Sequence, residues 1–457
     1  MYPQNAFNLI SEIADGKMND LRQDLDAIQK DVEDNPYFNF TTIATIHFAR
    51  FVILEEERDS FGKIIYPAYL AFETNYDGKL DDHLKDIVEH TKLNNGFDKV
   101  FCACKTFPGK DVITDTDRIN FLKTNSQFNP YFYRGTWGRT VLQIKAEEET
   151  RNKIQSHLDK NPHQGFSERD MYKRLKEDVK PSFYNTEHPP KLSSLLWRLS
   201  PIILLVLFCL LYTLVYGLYF VLCLIQSWYL IVILPLTLHF LIIGVIVTLA
   251  LTASVYYIIL RHKEKTDKEL KIFYDPNPDT ISLKTVEDRI VQNQLTHLVE
   301  LKPGSFRLFT LKMVLFLIET FGIYHFNKGN LGGIPSIHFA RWIIIDKGKR
   351  LLFFSNYDGS WENYLGDFID RAAVGLTAVW SNTKLFPKSK NLIFEGAVDE
   401  QKFKSWTRMH QIPTQVWYSA YKYLTVGNIN NNTALQDGLK KQTVMTDKKL
   451  KEWLLKI

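Results

Sequence analysis

Ile46-His47-Phe48-Ala49-Arg50 returns later in the chain as Ile337-His338-Phe339-Ala340-Arg341. Each copy is followed by a second tag, Asn-Tyr-Asp-Gly, at 75–78 and again at 356–359. Two long copies of a two-tag pattern mean a duplicated domain, not a solenoid, whose repeats are short and numerous. The correspondence extends outward from the tags. Ile10–Gly16 aligns with Leu298–Gly304 with Glu and Gly in register, and Phe107-Pro108 answers Phe386-Pro387. Pro130 to Val141 answers Pro413 to Val426. Units of roughly 150 residues have the size of ordinary domains, so each can hold its own core.

Periodicity gives both units one element order. Leu9–Ile13 and Leu295–Leu301 read as short strands ending at a Gly turn. In copy one a helix follows, with Met18, Leu21, Leu25 and Ile28 at helical spacing. The first tags open runs rich in β-branched and aromatic residues, 46–54 and 337–345, which read as strands. Turn residues (Asp59-Ser60-Phe61-Gly62, Asp346-Lys347-Gly348) lead to another strand that stops at the Asp-Gly of the second tag. An amphipathic helix comes next, Leu80–Leu93 and Trp361–Trp380. A final strand, helix and strand close the unit, with Val416-Trp417-Tyr418 in the last strand of copy two. This order predicts an α+β fold: two ferredoxin-like (βαββαβ) repeats packed as an intramolecular pseudo-dimer with a crevice between them.

Between the copies, Leu199 to Leu260 contains no Asp, Glu, Lys or Arg, far more than the ~20 apolar residues of one membrane crossing. The sequence therefore predicts an inserted transmembrane helical hairpin, with spans at about 201–225 and 236–260 and Trp228 and Tyr229 at the headgroups. Basic flanks (Lys180, Lys191 and Arg198 before it, Arg261, Lys263, Lys265, Lys268 and Lys271 after it) place both repeats on the cytoplasmic side. The expectation is a multi-pass inner (plasma) membrane protein with the lipid bilayer as a partner. The organisation reads as a first repeat 1–158, a linker 159–198, the hairpin 199–260, a linker 261–291, a second repeat 292–440 and a C-terminal helix or tail 441–457. The helix 308–326 is apolar on every face, which predicts that it lies between its own sheet and the bilayer or hairpin.

Composition removes other classes. With 56 basic against 51 acidic residues, the net charge of +5 is modest, and no basic, aromatic-interleaved motif marks a nucleic-acid surface. Four cysteines, two of them (Cys209, Cys223) inside the apolar run, argue against a disulfide scaffold. Cys102-Ala103-Cys104 reads as part of a core strand. Met1–Lys17 has acidic residues and no apolar run, so no signal peptide is expected. No Walker, Rossmann, nucleophile-elbow or zinc-spaced motif occurs.

The candidate site residues sit in the tags. On a regular strand His47 shares a face with Ala49 and Phe51, while Arg50 points with Phe48 and Val52. His and Arg of one tag therefore enter one pocket only if the strand bulges. Their structural reading is a buried His and an Arg paired with an acid, such as the tag's Asp; a device needed twice is a device of the fold. The functional reading makes Asp77, Arg50, Asp358 and Arg341 catalytic groups, with the Asp poised as a proton donor instead of capping the next helix. Asymmetry between the copies points to a single specialised site. Only copy one has Arg134-Gly135-Thr136-Trp137-Gly138-Arg139, whose backbone and two guanidiniums suit an anion such as a phosphate, carboxylate or cofactor propionate. Only copy two has His297, His325 and His410, each a candidate ligand for a metal or cofactor.

With its two βαββαβ units, the chain resembles the dimeric α/β-barrel superfamily, which includes dye-decolourising peroxidases and chlorite dismutases. Thr74-Asn75-Tyr76-Asp77-Gly78 and Ser355-Asn356-Tyr357-Asp358-Gly359 match the Asp-Gly end of the peroxidases' Gly-x-x-Asp-Gly signature. The resemblance implies haem in a crevice of the second unit, Asp77 or Arg50 on the distal side, and an axial ligand from His338, His325 or His410, with His47, Arg134 and Arg139 as further cofactor contacts. The chain also resembles bacterial membrane proteins that share the tags, which implies no activity. Two functions follow as expectations: a membrane-anchored haem peroxidase-like oxidoreductase, or a non-catalytic module (or scaffold) whose crevice binds a lipid-like or small amphiphilic ligand.

Overall fold

The computed structural model describes residues 4–110, 112–127, 131–160, 166–181, 233–269, 287, 289–326, 331, 333–440 and 445–457. Twelve strands are described. The first repeat supplies β1 (Gln4–Glu12), β2 (Ile46–Leu54), a small hairpin of β3 (Glu57–Arg58) and β4 (Ile64–Tyr66), β5 (Tyr69–Asp77) and β6 (Phe132–Arg134). The second supplies β7 (Gln292–Glu300), β8 (Ile337–Ile345), β9 (Arg350–Asp358), a two-residue pair β10 (Ser389–Lys390) and β11 (Phe394–Glu395), and β12 (Val416–Ser419). Helices Met18–Lys30 and Leu80–Thr91 cover the first repeat's sheet, and Ser305–Tyr324 and Trp361–Trp380 cover the second's.

The strands form two four-stranded antiparallel sheets, ordered β1-β5-β2-β12 and β6-β8-β9-β7. Each sheet thus holds three strands of its own repeat and the last strand of the other. Ser419 pairs with Phe48, and Arg134 pairs with Phe339. The sequence expectation that Val416-Trp417-Tyr418 closes its own unit is corrected here. The strand leaves copy two and edges the sheet of copy one, while β6 makes the reciprocal crossing. Exchange caps one exposed edge of each sheet and makes neither repeat complete without its neighbour.

β2 and β8 are buried along almost their whole length because both faces of each sheet are covered. The outer faces pack under helices: Leu21, Leu25, Phe51, Phe72 and Leu84 in the first repeat, and Leu311, Leu315, Trp342, Phe353 and Phe368 in the second. The inner faces pack against each other through Val52, Leu54, Ile343, Ile345, Leu352 and Phe354. At the start of β2 the register slips between Ile46 and Phe48, and β8 slips at the same place, between Ile337 and Phe339. A bulge sets two residues opposite one, so His47 and Phe48 both fall on the inner face. His47 lies 5.2 Å from the Phe339 ring, and Phe48 lies 5.3 Å from the His338 ring. His and Arg of each tag therefore both face the opposite repeat.

The expected transmembrane hairpin is overturned. Among the described residues no helix is long and apolar enough to cross a membrane, and the multi-pass inner-membrane placement falls with it. The first expected span, 201–225, lies outside the described residues. The second falls in the helix Ile233–Thr266, whose C-terminal end is a packed part of the second repeat. There Leu260 is buried, Tyr256 bonds the Thr310 hydroxyl at 3.1 Å, and buried Glu264 accepts from the backbone N–H groups of Asn391 and Leu392. The fold is accordingly mixed α/β with strand-exchanged antiparallel sheets, not two self-closed ferredoxin-like units around an inserted hairpin. Cys102-Ala103-Cys104 also differs from expectation: it follows the helix Gly96–Phe101 as a turn, with Cys102 exposed and Cys104 buried. In the helix Ser305–Tyr324, Leu311, Val314 and Leu315 are buried while Phe309, Leu317 and Phe321 are exposed.

Candidate functional site

The two tags converge on the seam between the sheets, where the arginines are exchanged between repeats. Arg50, on β2 of copy one, donates to Ser355 O at 3.1 Å, Asn356 Oδ1 at 2.6 Å and Leu295 O at 3.2 Å, all in copy two. Arg341 mirrors it, donating to Thr74 O at 3.1 Å, to Asn75 Oδ1, and to Phe7 O at 3.1 Å in copy one. The Asn of each second tag is thus the receptor for the other copy's Arg. One carboxylate serves both guanidiniums. Glu73 lies 2.6 Å from Arg50 Nε and 2.9 Å from Arg341 Nη2, the former an ion contact without hydrogen-bond alignment. All three groups are buried. Burial lowers the Arg341 pKa to about 10, against the opposing pull of Glu73, and lowers that of Arg50 for the same reason; both remain cations near neutrality. Glu73 stands where copy two has Phe354, since Arg50 pairs with the first and Arg341 with the second.

Each His pairs with the Asp of its own repeat's second tag. His47 Nε2 lies 2.9 Å from Asp77 Oδ1, and His338 Nε2 lies 2.7 Å from Asp358 Oδ1. A carboxylate only accepts, so Nε2 carries the proton in both rings. The second oxygen of each Asp accepts a helix N-terminal amide, Val141 N at 2.8 Å and Val426 N at 2.7 Å. The tag Asp does cap a helix, but a later one than expected. The helix directly after the second tag begins without a side-chain cap in copy one and is capped by Ser360 in copy two. These contacts pin the ends of β5 and β9 to the helices Val141–Lys160 and Val426–Lys440, which pack on each other.

The remaining candidates scatter. His325 is exposed at the end of the helix Ser305–Tyr324 and meets the Phe326 ring edge to face. His410 caps its own helix through Trp406 O and packs 5.7 Å from His297. His297 is fully buried among Trp380 and Trp406, and among the described residues neither ring nitrogen is hydrogen-bonded. Burial, reinforced by His410, holds its pKa well below the ordinary histidine value. Arg134 bonds Gln4 O and lies over Phe132 and Trp137. Arg139 lines a small recess beside His338. Sequence reasoning missed Glu73, Asn75, Asn356 and Tyr421 as seam partners. A lone carboxylate inside the apolar run of β5 was the one available signal.

A larger recess opens at the far end of the seam. It holds about 900 Å³ of empty space, part of it continuous with solvent. Its walls come from both repeats: Ile10, Ile65, Tyr66 and Tyr69 from the first, and the β8–β9 turn Ile345–Lys349 from the second. That turn is tight. Asp346 and Lys347 take left-handed conformations (φ 52° and 55°) and Gly348 N bonds Ile345 O, which orients the exposed Lys347 and Lys349 at the rim. Tyr69 bonds Asp346 at 2.9 Å, and burial pushes its phenol up to about 12, so it stays protonated. Tyr66 bonds Glu300 at 2.9 Å and is raised likewise. Arg350 lies beneath, 4.1 Å from the Tyr66 ring, paired with Asp346 and Glu57.

The seam residues do not fit a haem. Phe48, Phe132, Phe339 and Tyr421 fill its centre, and the recess at His338 is too small for a macrocycle. His47 has both ring nitrogens engaged, by Asp77 and by Tyr421. Among the described residues no cluster of three or more His, Cys, Asp or Glu is arranged to hold a metal ion. The chain matches no protein-family model, no curated protein and no solved structure.

Proposed function

We propose that the chain is a binding module that takes a small amphiphile with an anionic head in the cleft between its two repeats. The observation that carries this reading is the cleft's composition: an apolar floor of Ile10 and Ile345 beneath a rim bearing Lys347 and Lys349. Ile65 is about half exposed at its mouth, an unusual place for isoleucine unless an apolar partner covers it. Two phenols held protonated, Tyr66 and Tyr69, supply polar edges without negative charge. Apolar pockets with a few placed polar groups are the ordinary form of a ligand site. The peroxidase-like reading finds no support in the packing at the seam.

Titration of the full chain with dodecanoate, below its micellar concentration and followed by calorimetry, tests the proposal. Saturable binding is expected, about tenfold weaker after Lys347→Glu with Lys349→Glu and abolished by Ile65→Asp. Dodecanol, which lacks the head charge, should bind more weakly than dodecanoate. Absence of saturable binding, or binding indifferent to these substitutions, refutes the reading.

A further inference from the structure

The cleft between the repeats is bounded by a feature that only one copy has. In copy two, β8 and β9 are joined by the short turn 346–349. In copy one, β2 and β5 are joined by 55–68, which carries the β3–β4 hairpin. That hairpin is a small sheet of its own and is mostly exposed, with Phe61 94% accessible near its tip. Glu57 and Tyr66 are paired across it. Both reach over to copy two, Glu57 to Arg350 and Tyr66 to Glu300.

Arg350 is likewise without a counterpart. It pairs with Ile345 as Tyr69 pairs with Leu54, so a tyrosine stands at its place in copy one. A buried cation present in one copy alone is not a device of the duplicated fold. The guanidinium is fully buried, and its fork is incompletely used. Nε donates to Asp346 and Nη1 to Glu57 at 3.0 Å, while Nη2 meets no acceptor among the described residues. The two carboxylates hold it unequally. The Asp346 side chain is 9% exposed, sits in the tight turn and also accepts from Tyr69. Glu57 offers one oxygen from a side chain that is 46% exposed, and an ion pair so open to water contributes little. Arg350 stands one side chain behind the cleft: Tyr66 and Asp346 both touch it, and both line the cleft wall.

We propose that Glu57 is a built-in competitor for the anionic head of the ligand. On binding, a carboxylate head takes the place of Glu57 and bonds Nη1 and Nη2 together, which frees the hairpin from copy two at that contact. A two-point pair of this kind is stronger than the single contact it replaces. Asp346 keeps its hold on Nε, so the buried cation is never left unpaired. This inference rests on the amphiphile-binding reading and adds its regulation: the cleft is self-inhibited, and it selects a planar carboxylate over an uncharged head.

Calorimetric titration of the full chain with dodecanoate and with dodecanol tests it. Glu57→Gln should bind dodecanoate about tenfold more tightly than the native chain and leave dodecanol affinity unchanged. Glu56 pairs with Arg58 inside the hairpin, so Glu56→Gln removes the same charge without touching Arg350 and should leave dodecanoate affinity unchanged. In an Arg350→Lys background, which keeps the charge and loses the fork, Glu57→Gln should give no gain. If Arg350→Lys fails to fold, the comparison of Glu57→Gln with Glu56→Gln decides alone. Dodecanoate binding that is indifferent to Glu57→Gln, or tightened equally by Glu56→Gln, overturns the competitor and leaves the binding reading standing. An equal gain for dodecanol does the same. Failure of both the native chain and Glu57→Gln to bind dodecanoate overturns the two together.

Discussion

Arg50 and Arg341 reach past each other across the seam, each bonded to the other repeat's tag asparagine, and meet at the single carboxylate of Glu73. The cluster carries a net positive charge in a fully buried place, so its stability depends on that one acid. Glu73→Gln keeps the volume and removes the charge. It should destabilise the fold by about 3–5 kcal/mol, the cost of leaving buried cations uncompensated. Replacing the set together (Glu73→Leu, Arg50→Met, Arg341→Leu) should cost less than Glu73→Gln alone. Urea unfolding midpoints decide; a triple variant weaker than the single one contradicts this account.

The strand exchange has its own weak point. A Cβ built at Gly135 falls 2.6 Å from Ile337 O and 2.8 Å from His338 O, both backbone atoms. The equivalent residue in the other crossing, Ala420, already carries a Cβ. Gly135→Ala is expected to push β6 off β8 and lower stability by about 1–3 kcal/mol, the usual cost of overpacking. Ala420→Gly should cost less than 1 kcal/mol. Amide exchange in Phe132–Arg134 localises the effect, and equal damage from both changes would refute it.

Asp77 and Asp358 each hold a histidine and a helix N-terminus. Removing the carboxylate forfeits a cap, worth about 0.5–2 kcal/mol, and orphans an imidazole N–H, about 1–3 kcal/mol when buried. His47 is sealed, whereas His338 borders a recess that admits a water-sized group. Asp77→Ala should therefore be the more destabilising substitution by at least 1 kcal/mol. Equal losses would show that the recess does not reach the His338 ring.

Much of this was legible in the tags. The duplication, the order of the main elements and the burial of His47, Arg50, His338 and Arg341 follow from residue pattern alone. The partners do not. Strand periodicity is the same whether Val416–Ser419 closes its own sheet or its neighbour's, because both edges offer one pleat and one register. A β-bulge leaves no mark in Ile-His-Phe-Ala-Arg, yet it alone turns His47 and Arg50 to the same face. The tag Asp was expected to meet Arg or the next helix; it meets His because the bulge brings that ring over the end of the strand. The apolar run that suggested membrane spans gave no sign that Leu260 and Glu264 dock on the second repeat.

Acid should weaken the fold through two sealed histidines. His297 occupies the place of Leu9, as the pairing of each with Phe353 and Phe72 shows, and His83 stacks on Tyr76 at 3.7 Å. Burial holds both below the ordinary value, His83 at about 3. The unfolded chain titrates near about 6.5, so below that pH it binds protons the folded chain refuses. Their contribution to stability is complete above about 6.5 and falls as the pH drops toward the folded values. Unfolding free energy measured from pH 8 to 4 should therefore decline below about 6.5. His297→Leu should reduce that decline and, by removing two unbonded buried nitrogens, raise stability at pH 8 by about 1–2 kcal/mol. A variant with unchanged acid dependence would mean that His297 gains a partner or a proton in the folded protein.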